Sequence, residues 1–180
     1  MTALIPRLSA EQMPVELAAR LRPRVERLGY LGEFFRCAAH QPKALLSFID
    51  LTDDLKEALP DRLTEVVALA VSRLMGNAYE RVQHERLCLK LGFGEGWIRQ
   101  VESGQGQGLG DEERLVQCLV VAIVERRGHN SGPELEAVVR EIGHERAIAV
   151  LMLIGRYLSH ALMVNALGLA PPVPSPLEEQ

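Results

Sequence analysis

Apolar residues recur every three or four positions along nearly the whole chain, and β-branched residues never alternate with polar ones over a strand's length. The pattern predicts an all-helical protein, a bundle of short helices punctuated by glycine and proline. A first segment over 9–28 opens with Ser9-x-x-Gln12, the order of a capping box. Pro14 is tolerated near its start, while Pro23 is expected to bend or split it. A short helix over 32–39 precedes Gln41-Pro42, where proline suits a first turn, and its successor should reach Glu57. Pro60 opens the next helix, whose apolar stripe is Leu63, Val66, Val67, Ala70, Val71 and Leu74. Gly76 ends it, and Asn77 starts another that runs to Leu91 with a second capping-box pattern, Asn77-x-x-Glu80.

Gly92, Gly94 and Gly96 mark the following turn, and a short helix is expected to end near Glu102. The run Ser-Gly-Gln-Gly-Gln-Gly-Leu-Gly over 103–110 reads as a flexible loop. No strand precedes it, no Lys-Ser/Thr follows it and its order is not G-x-G-x-x-G, so a phosphate cradle is not expected. Asp111 is expected to cap a helix to about Arg127 with Leu115, Leu119, Val120, Ile123 and Val124 in the core. Ser131-Gly132-Pro133-Glu134 forms a third capping-box pattern, opening a helix to about Gly143. The last helix, over 145–167, is apolar on much of its circumference, so it should be either central or covered by another subunit. The tail PPVPSPLEEQ is expected to be disordered or draped over a partner. No internal repeat stands out, and one domain over 1–170 with a proline-rich tail over 171–180 is expected.

Composition narrows the class. The 180 residues are 47% hydrophobic and 24% charged, an ordinary globular mixture. With 20 basic and 24 acidic residues the net charge is −4, which gives no general drive toward nucleic acid or an anionic membrane. The three cysteines, Cys37, Cys88 and Cys118, are far apart and never form C-x-x-C. A disulfide framework, a cysteine zinc site and a dithiol pair are therefore not expected, and the chain suits a reducing cytoplasm. The start MTALIPRLSAEQMPVE lacks the basic and then apolar order of a secretory signal. The most apolar stretch, 147–170, carries Arg156, His160 and Asn165, so it reads as a buried helix and not a membrane span.

Candidate chemistry concentrates in one region. Glu80, His84 and Cys88 are spaced i, i+4, i+8 along one face of a helix, and the turn at Gly76 folds the preceding helix back so that Glu65 can approach that face. A carboxylate raises the pKa of a neighbouring imidazole and burial lowers it, so such a pair can be tuned for proton transfer near neutrality. Structural readings stand beside this one. Glu80 fits the third position of the capping box, His84 fits a hydrogen-bonded core histidine, Cys88 a small buried filler, and Glu65 a solvated first-turn acid. Glu80, His84 and Glu65 supply only two or three metal ligands without H-E-x-x-H, so no metal is expected.

The runs L-P-D-R-L-T-E-x-V-A-L-A-V-S-R and N-A-Y-E-R-V-Q-H-E-R-L-C-L-K-L-G resemble the core of the carboxymuconolactone decarboxylase and alkylhydroperoxidase D-like superfamily. The resemblance is strong over 59–101 and continues more weakly through His40-Gln-Pro42 and Ile154-Gly-Arg-Tyr157 … Asn165. It implies an all-α fold with an active-site helical hairpin and assembly as trimers or hexamers. The peroxidase branch has a glutamate, a C-x-x-C dithiol and a histidine; Glu65 and His84 match the first and last, while the cysteine positions fall on Asn77 and Glu80. Tyr79-Glu80 … His84 is similar to the Y-E-W-x-x-H pattern of the decarboxylase branch, with Arg81 in place of tryptophan. Cys88 stands where the family usually has a small residue. The chain also carries about fifty residues before the matched core, more than the compact decarboxylases do.

The resemblance implies decarboxylation of a small carboxylated lactone or related organic acid, without a cofactor. Glu65, Glu80 and His84 are the expected catalytic residues, and Tyr79 and Arg81 the expected substrate-binding ones. Two alternatives remain: a peroxide-reducing protein using Cys88 as a lone thiolate, and a non-catalytic helical oligomer. A homo-oligomer with a small-molecule substrate, binding neither nucleic acid nor membrane, is expected.

Overall fold

The computed structural model describes residues 4–178; residues 1–3 of the stretch read for a secretory signal, and 179–180 of the tail, lie outside it. The described residues form a 3-10 turn (Ala10–Gln12) and eight α-helices, with no strand among them: α1 (Val15–Leu28), α2 (Glu33–Ala38), α3 (Pro42–Glu57), α4 (Asp61–Leu74), α5 (Ala78–Lys90), α6 (Glu95–Ser103), α7 (Asp111–Arg126) and α8 (Gly132–Ala166). They group into two compact units that divide between Asp53 and Asp54.

In the first unit the Ser9 pattern serves the 3-10 turn, where Ser9 N–H donates to Gln12 Oε1 at 2.9 Å. Pro14 is the residue flanking α1, and α1 continues through Pro23 without being split. Leu17, Leu21, Phe34, Cys37, Leu45 and Ile49 are buried there. Arg20 and Arg24 of α1 pair with Asp53 at 2.7 and 2.6 Å, tying α1 to α3.

The second unit is built around α4, which packs against α5, α6, α7 and α8. Every residue of α4 from Leu63 to Ser72 is buried, so the expected stripe is in fact a whole circumference. Such a helix must satisfy its own polar groups: Ser72 Oγ donates to Leu69 O at 2.9 Å, and Glu65 finds partners described below. Leu74, expected in the core, is partly exposed at the end of the helix.

In α7 the core side is Val116, Leu119, Val120 and Ala122, while Leu115, Ile123 and Val124 are only half-buried. Buried Gln117 rotates that face, because its amide donates to Val101 O at 2.7 Å, one of the carbonyls left over at the end of α6. Asp111 is the first residue of α7 and not its cap. Glu113 does the capping, accepting from Gly110 N–H at 3.1 Å. The third capping box does not form: Ser131 Oγ donates to His129 O and Glu134 pairs with Arg126 at 3.0 Å. The glycine-rich run is shaped by packing. A side chain at Gly106 would meet Arg114, and one at Gly108 would overlap the Gln100 amide.

The helix α8 is interrupted at Gly143, whose φ of 78° ends the first half where the sequence places it. Its second half buries Ala147, Val150, Leu153, Ile154, Tyr157, His160, Ala161 and Val164. The opposite side exposes Ile148, Met152, Leu162 and Met163, so α8 is neither fully central nor fully covered within the chain. By length and composition α8 could cross a bilayer, but half of its apolar window is buried and Arg156 and His160 face a buried carboxylate, as in the core helix of a soluble fold.

The tail departs from the expectation of disorder. Through residue 178 it lies on α5 and α6 of its own chain: Ser175 Oγ donates to Glu85 Oε2 at 2.5 Å, Arg99 donates to Leu177 O at 3.1 Å and Arg81 pairs with Glu178 at 3.2 Å. Glu85 is fully buried beneath it, and also accepts from Arg81 at 2.7 Å. Burial and the Glu85 carboxylate together push the neighbouring Glu102 carboxyl up to about 7.

Burial this uneven makes a direct prediction. Leu69→Ala on fully buried α4 should cost about 2–5 kcal/mol, while Leu162→Ala on the exposed side of α8 should stay within about 0.5 kcal/mol in the isolated chain. Denaturant unfolding of the two variants compares them, and equal losses would contradict the packing described.

Candidate active site

The hairpin α4–turn–α5 is set by Gly76, which adopts φ 61°. That left-handed conformation suits glycine because it has no Cβ to crowd the carbonyl. Asn77 then caps α5, its Oδ1 accepting from Glu80 N–H at 3.2 Å. The reciprocal half of the capping box is absent, because Asn77 N–H is taken by Ser72 O at 2.8 Å. The Glu80 carboxylate is thereby not committed to its own helix end.

It joins a buried cluster instead. His84 Nδ1 donates to Glu65 Oε2 at 2.6 Å across the hairpin, and His84 Nε2 lies 3.6 Å from Glu80 Oε2 one turn earlier. From α8, His160 Nδ1 stands 3.0 Å and Arg156 Nη1 3.6 Å from the same Glu80 oxygen. Lys56 Nζ, at the end of α3, is 4.0 Å from Glu65 Oε1, and Cys88 Sγ donates to Glu65 Oε2 at 3.6 Å. The Tyr157 ring meets His84 edge-on at 5.3 Å, and the Arg156 guanidinium lies 4.4 Å over the same tyrosine. Two carboxylates and two imidazoles thus alternate in one chain: Glu65, His84, Glu80, His160.

Burial opposes every charge in this cluster, yet the charges win by pairing. Burial would lift the Glu65 and Glu80 carboxyls; His84 and Lys56 bring the first below its usual range, and His160 with His84 brings the second well below it. Burial would lower His84, but Glu65 and Glu80 raise it above the usual 6.5. The charged form of His84 is therefore favoured over that of an ordinary histidine. Cys88 moves the other way, pushed far above an ordinary thiol by burial and by the Glu65 charge beside it. Tyr157 is likewise held in its neutral phenol form, mainly by burial.

Of the expected site residues, the fold brings together Glu65, Glu80, His84 and Cys88. Arg81 goes elsewhere: it follows Glu80 by one residue, a rotation of about 100° around the helix, and pairs with Glu85 and Glu178. Tyr79 is buried in the first turn of α5, and the aromatic ring packed on His84 is that of Tyr157. Arg156, Tyr157 and His160 were not expected in the cluster. Their signal was present as two polar residues at i, i+4 in an otherwise apolar helix. Among the described residues, no three His, Cys, Asp or Glu side chains converge to hold a metal ion. Two cavities of about 410 and 320 Å³ are lined by other residues, one between α7 and α8 and one between α4 and α6.

Residues 42–124 match the model of the carboxymuconolactone decarboxylase family, a span that includes Glu65, Glu80, His84 and Cys88. The fold is similar to that of an alkylhydroperoxidase AhpD core, a peroxidase-related protein from Ralstonia eutropha JMP134, with TM-score 0.80 and 19% identity over 92% of this chain and 90% of that one. It is also similar to a putative antioxidant defence protein AhpD from Agrobacterium tumefaciens, with TM-score 0.69 and 18% identity over 76% and 96% of the two chains. A third similar structure is the debrominase Bmp8, in a variant bound to 2,3,4-tribromopyrrole, with TM-score 0.81 and 17% identity over 94% and 92%. Among curated proteins, none matches the sequence. The match to the carboxymuconolactone decarboxylase family thus covers somewhat less than half of the chain, and the fold as a whole is shared with the alkylhydroperoxidase D-like structures.

The shifted groups set a pH window for stability. Because His84 is raised, its contribution is complete below about 6.5 and is lost as pH climbs through the raised folded value. Because Glu65 and Glu80 are lowered, theirs is present above about 4.5 and is lost as pH falls through the lowered values. Calorimetric melting of the wild type should show a maximum between these limits, and His84→Gln should flatten the alkaline side. An unchanged alkaline slope in that variant would mean that His84 is not held charged.

Proposed function

We propose that the chain is a cofactor-independent acid–base enzyme that decarboxylates a small carboxylated lactone or related organic acid. The observation that carries the reading is the binding of His84: Glu65 grips Nδ1 at 2.6 Å, which orients the ring and keeps it charged, while Nε2 sits at a longer 3.6 Å from Glu80. An imidazolium held this way has one N–H to give.

The chemistry needs such a donor. When the bond to the departing carboxylate breaks, CO2 leaves and its electron pair passes into the conjugated lactone as an enolate. A proton must then be delivered to carbon, and His84 Nε2–H supplies it; the imidazole regains a proton from solvent before the next cycle. Glu65 and Glu80 remain ionised throughout, and stabilise the imidazolium rather than accept protons. His84 and Lys56 keep Glu65 charged, and His160 with His84 keeps Glu80 charged, despite their burial.

The thiol-peroxidase alternative has less to support it. It requires a thiolate at Cys88, and both burial and Glu65 work against that ion. The site residues of a C-x-x-C dithiol are Asn77 and Glu80 here.

Incubation with carboxymuconolactone, following CO2 release, tests the reading. His84→Gln should lower the rate by about 10²–10⁴-fold, and Cys88→Ser should leave it within a few-fold. Absence of CO2 release by the wild type, or peroxide consumption that Cys88→Ser abolishes, would overturn it.

We also propose that the chain works as a homo-oligomer, a trimer or a hexamer. The exposed α8 row of Ile148, Met152, Leu162 and Met163 supports this. Sedimentation equilibrium at micromolar concentration should give a multiple of the chain mass; a monodisperse monomer would contradict it.

A further inference from the structure

The tail is fastened to a carboxylate that has a second carboxylate for a neighbour. Glu85 of α5 is fully buried; its Oε1 accepts from Arg81 at 2.7 Å and its Oε2 from Ser175 Oγ at 2.5 Å. Ser175 Oγ in turn accepts from Leu177 N–H at 3.1 Å, and Arg81 reaches on to Glu178 at 3.2 Å. Serine and guanidinium thus both hold the tail through Glu85, and Arg99 of α6 adds a bond to Leu177 O at 3.1 Å. Glu102 of α6 stands within hydrogen-bonding reach of the same Glu85 carboxylate. Two carboxylates meet in this way only when a proton lies between them. Glu102 Oε1 is buried without a hydrogen-bond donor among the described residues, so nothing there would meet the charge of the ionised form.

We propose that the Glu85–Glu102 pair is a proton-operated latch for the carboxyl-terminal tail, closed while the pair shares a proton and released when that proton is lost. The helix α6 packs on α4 and α5, and each presents charged or titratable groups to Glu102. Arg73 from α4 and Arg81 from α5 favour its ionised form. Burial and Glu85 favour the neutral form and outweigh both, which puts the carboxyl at about 7. Cys88 of α5 also faces Glu102 and is a neutral thiol. On the tail, Glu178 sets a further negative charge against Arg81.

The direction of the latch follows from what the tail does to Glu85. With Ser175 over it, Glu85 is out of water and its charge acts on Glu102 with little screening. Once the tail lifts, water screens the pair and both carboxyls can ionise. Closure is therefore coupled to proton binding at Glu102. It is fully favoured below about 4.5, the ordinary carboxyl value, and that advantage is lost as pH rises through about 7. Opening uncovers Glu85 and parts Arg81 from Glu178, so the outer face of α5 changes its charge as the tail departs. None of this depends on the acid–base reading of Glu65, Glu80 and His84.

Relaxation of the Leu177 amide in a ¹⁵N-leucine-labelled full chain reads the latch, with the Leu69 amide of α4 reporting on the fold. Between about pH 5 and about pH 8.5 the ratio of free to fastened tail in the wild type should rise about tenfold or more, while Leu69 stays rigid. Glu102→Gln, whose amide offers Glu85 a donor at every pH, should keep Leu177 rigid throughout. Should that variant fail to fold, ¹³C-carboxyl spectra of the wild type decide: Glu102 must titrate with the same midpoint as the mobility of Leu177. Leu177 mobility that is the same at both ends of the range, a pH response that survives Glu102→Gln, or a Glu102 carboxyl that titrates near the ordinary value of about 4.5 would each overturn the proposal.

Discussion

The contact between Glu65 and His84 is the constraint around which the second unit is organised. It is an ion pair held at 2.6 Å in a helix that is buried on every side. Burying two charges carries a desolvation cost that their mutual attraction alone often fails to repay. The surrounding residues make up the difference: Lys56 and Cys88 on the Glu65 side, Glu80 on the His84 side, and Arg156 and His160 behind Glu80. Outside the hairpin, the end of α3 and the second half of α8 contribute these groups. The close packing of α4 and the polar chain running through it are thus two aspects of one arrangement.

That arrangement also assigns work to residues that look alike in sequence. Glu65 and Glu80 are both lowered carboxylates, but one grips the imidazole in a short hydrogen bond and the other gathers three nitrogens around a single oxygen. Cys88 and His84 both approach Glu65, yet the same negative charge that favours the imidazolium form also keeps the thiol protonated. A glutamate in this position favours proton chemistry and opposes thiolate chemistry within the same few ångströms.

Much of this was legible in the chain. Helical periodicity and the Gly76 turn define the hairpin, and i, i+4 spacing aligns Glu80, His84 and Cys88, because those signals are local. What escaped depends on partners distant in sequence. Arg156 and His160 lie more than seventy residues after Glu80, and nothing local says that α8 would cross that carboxylate. The core side of α7 was misplaced because Gln117 is drawn inward by carbonyls at the end of α6. Arg81 looked available to substrate until the tail supplied Glu178 and α5 supplied Glu85.

The tail gives the carboxyl end of this chain an importance that its proline-rich composition hides. Ser175 is the cover over Glu85, a carboxylate on α5 only one residue beyond His84. A fusion partner, an affinity tag or a protease acting on the last ten residues would therefore disturb the floor of the helix that carries the acid. Leaving this end of the chain unmodified keeps the support beneath the His84 helix in place.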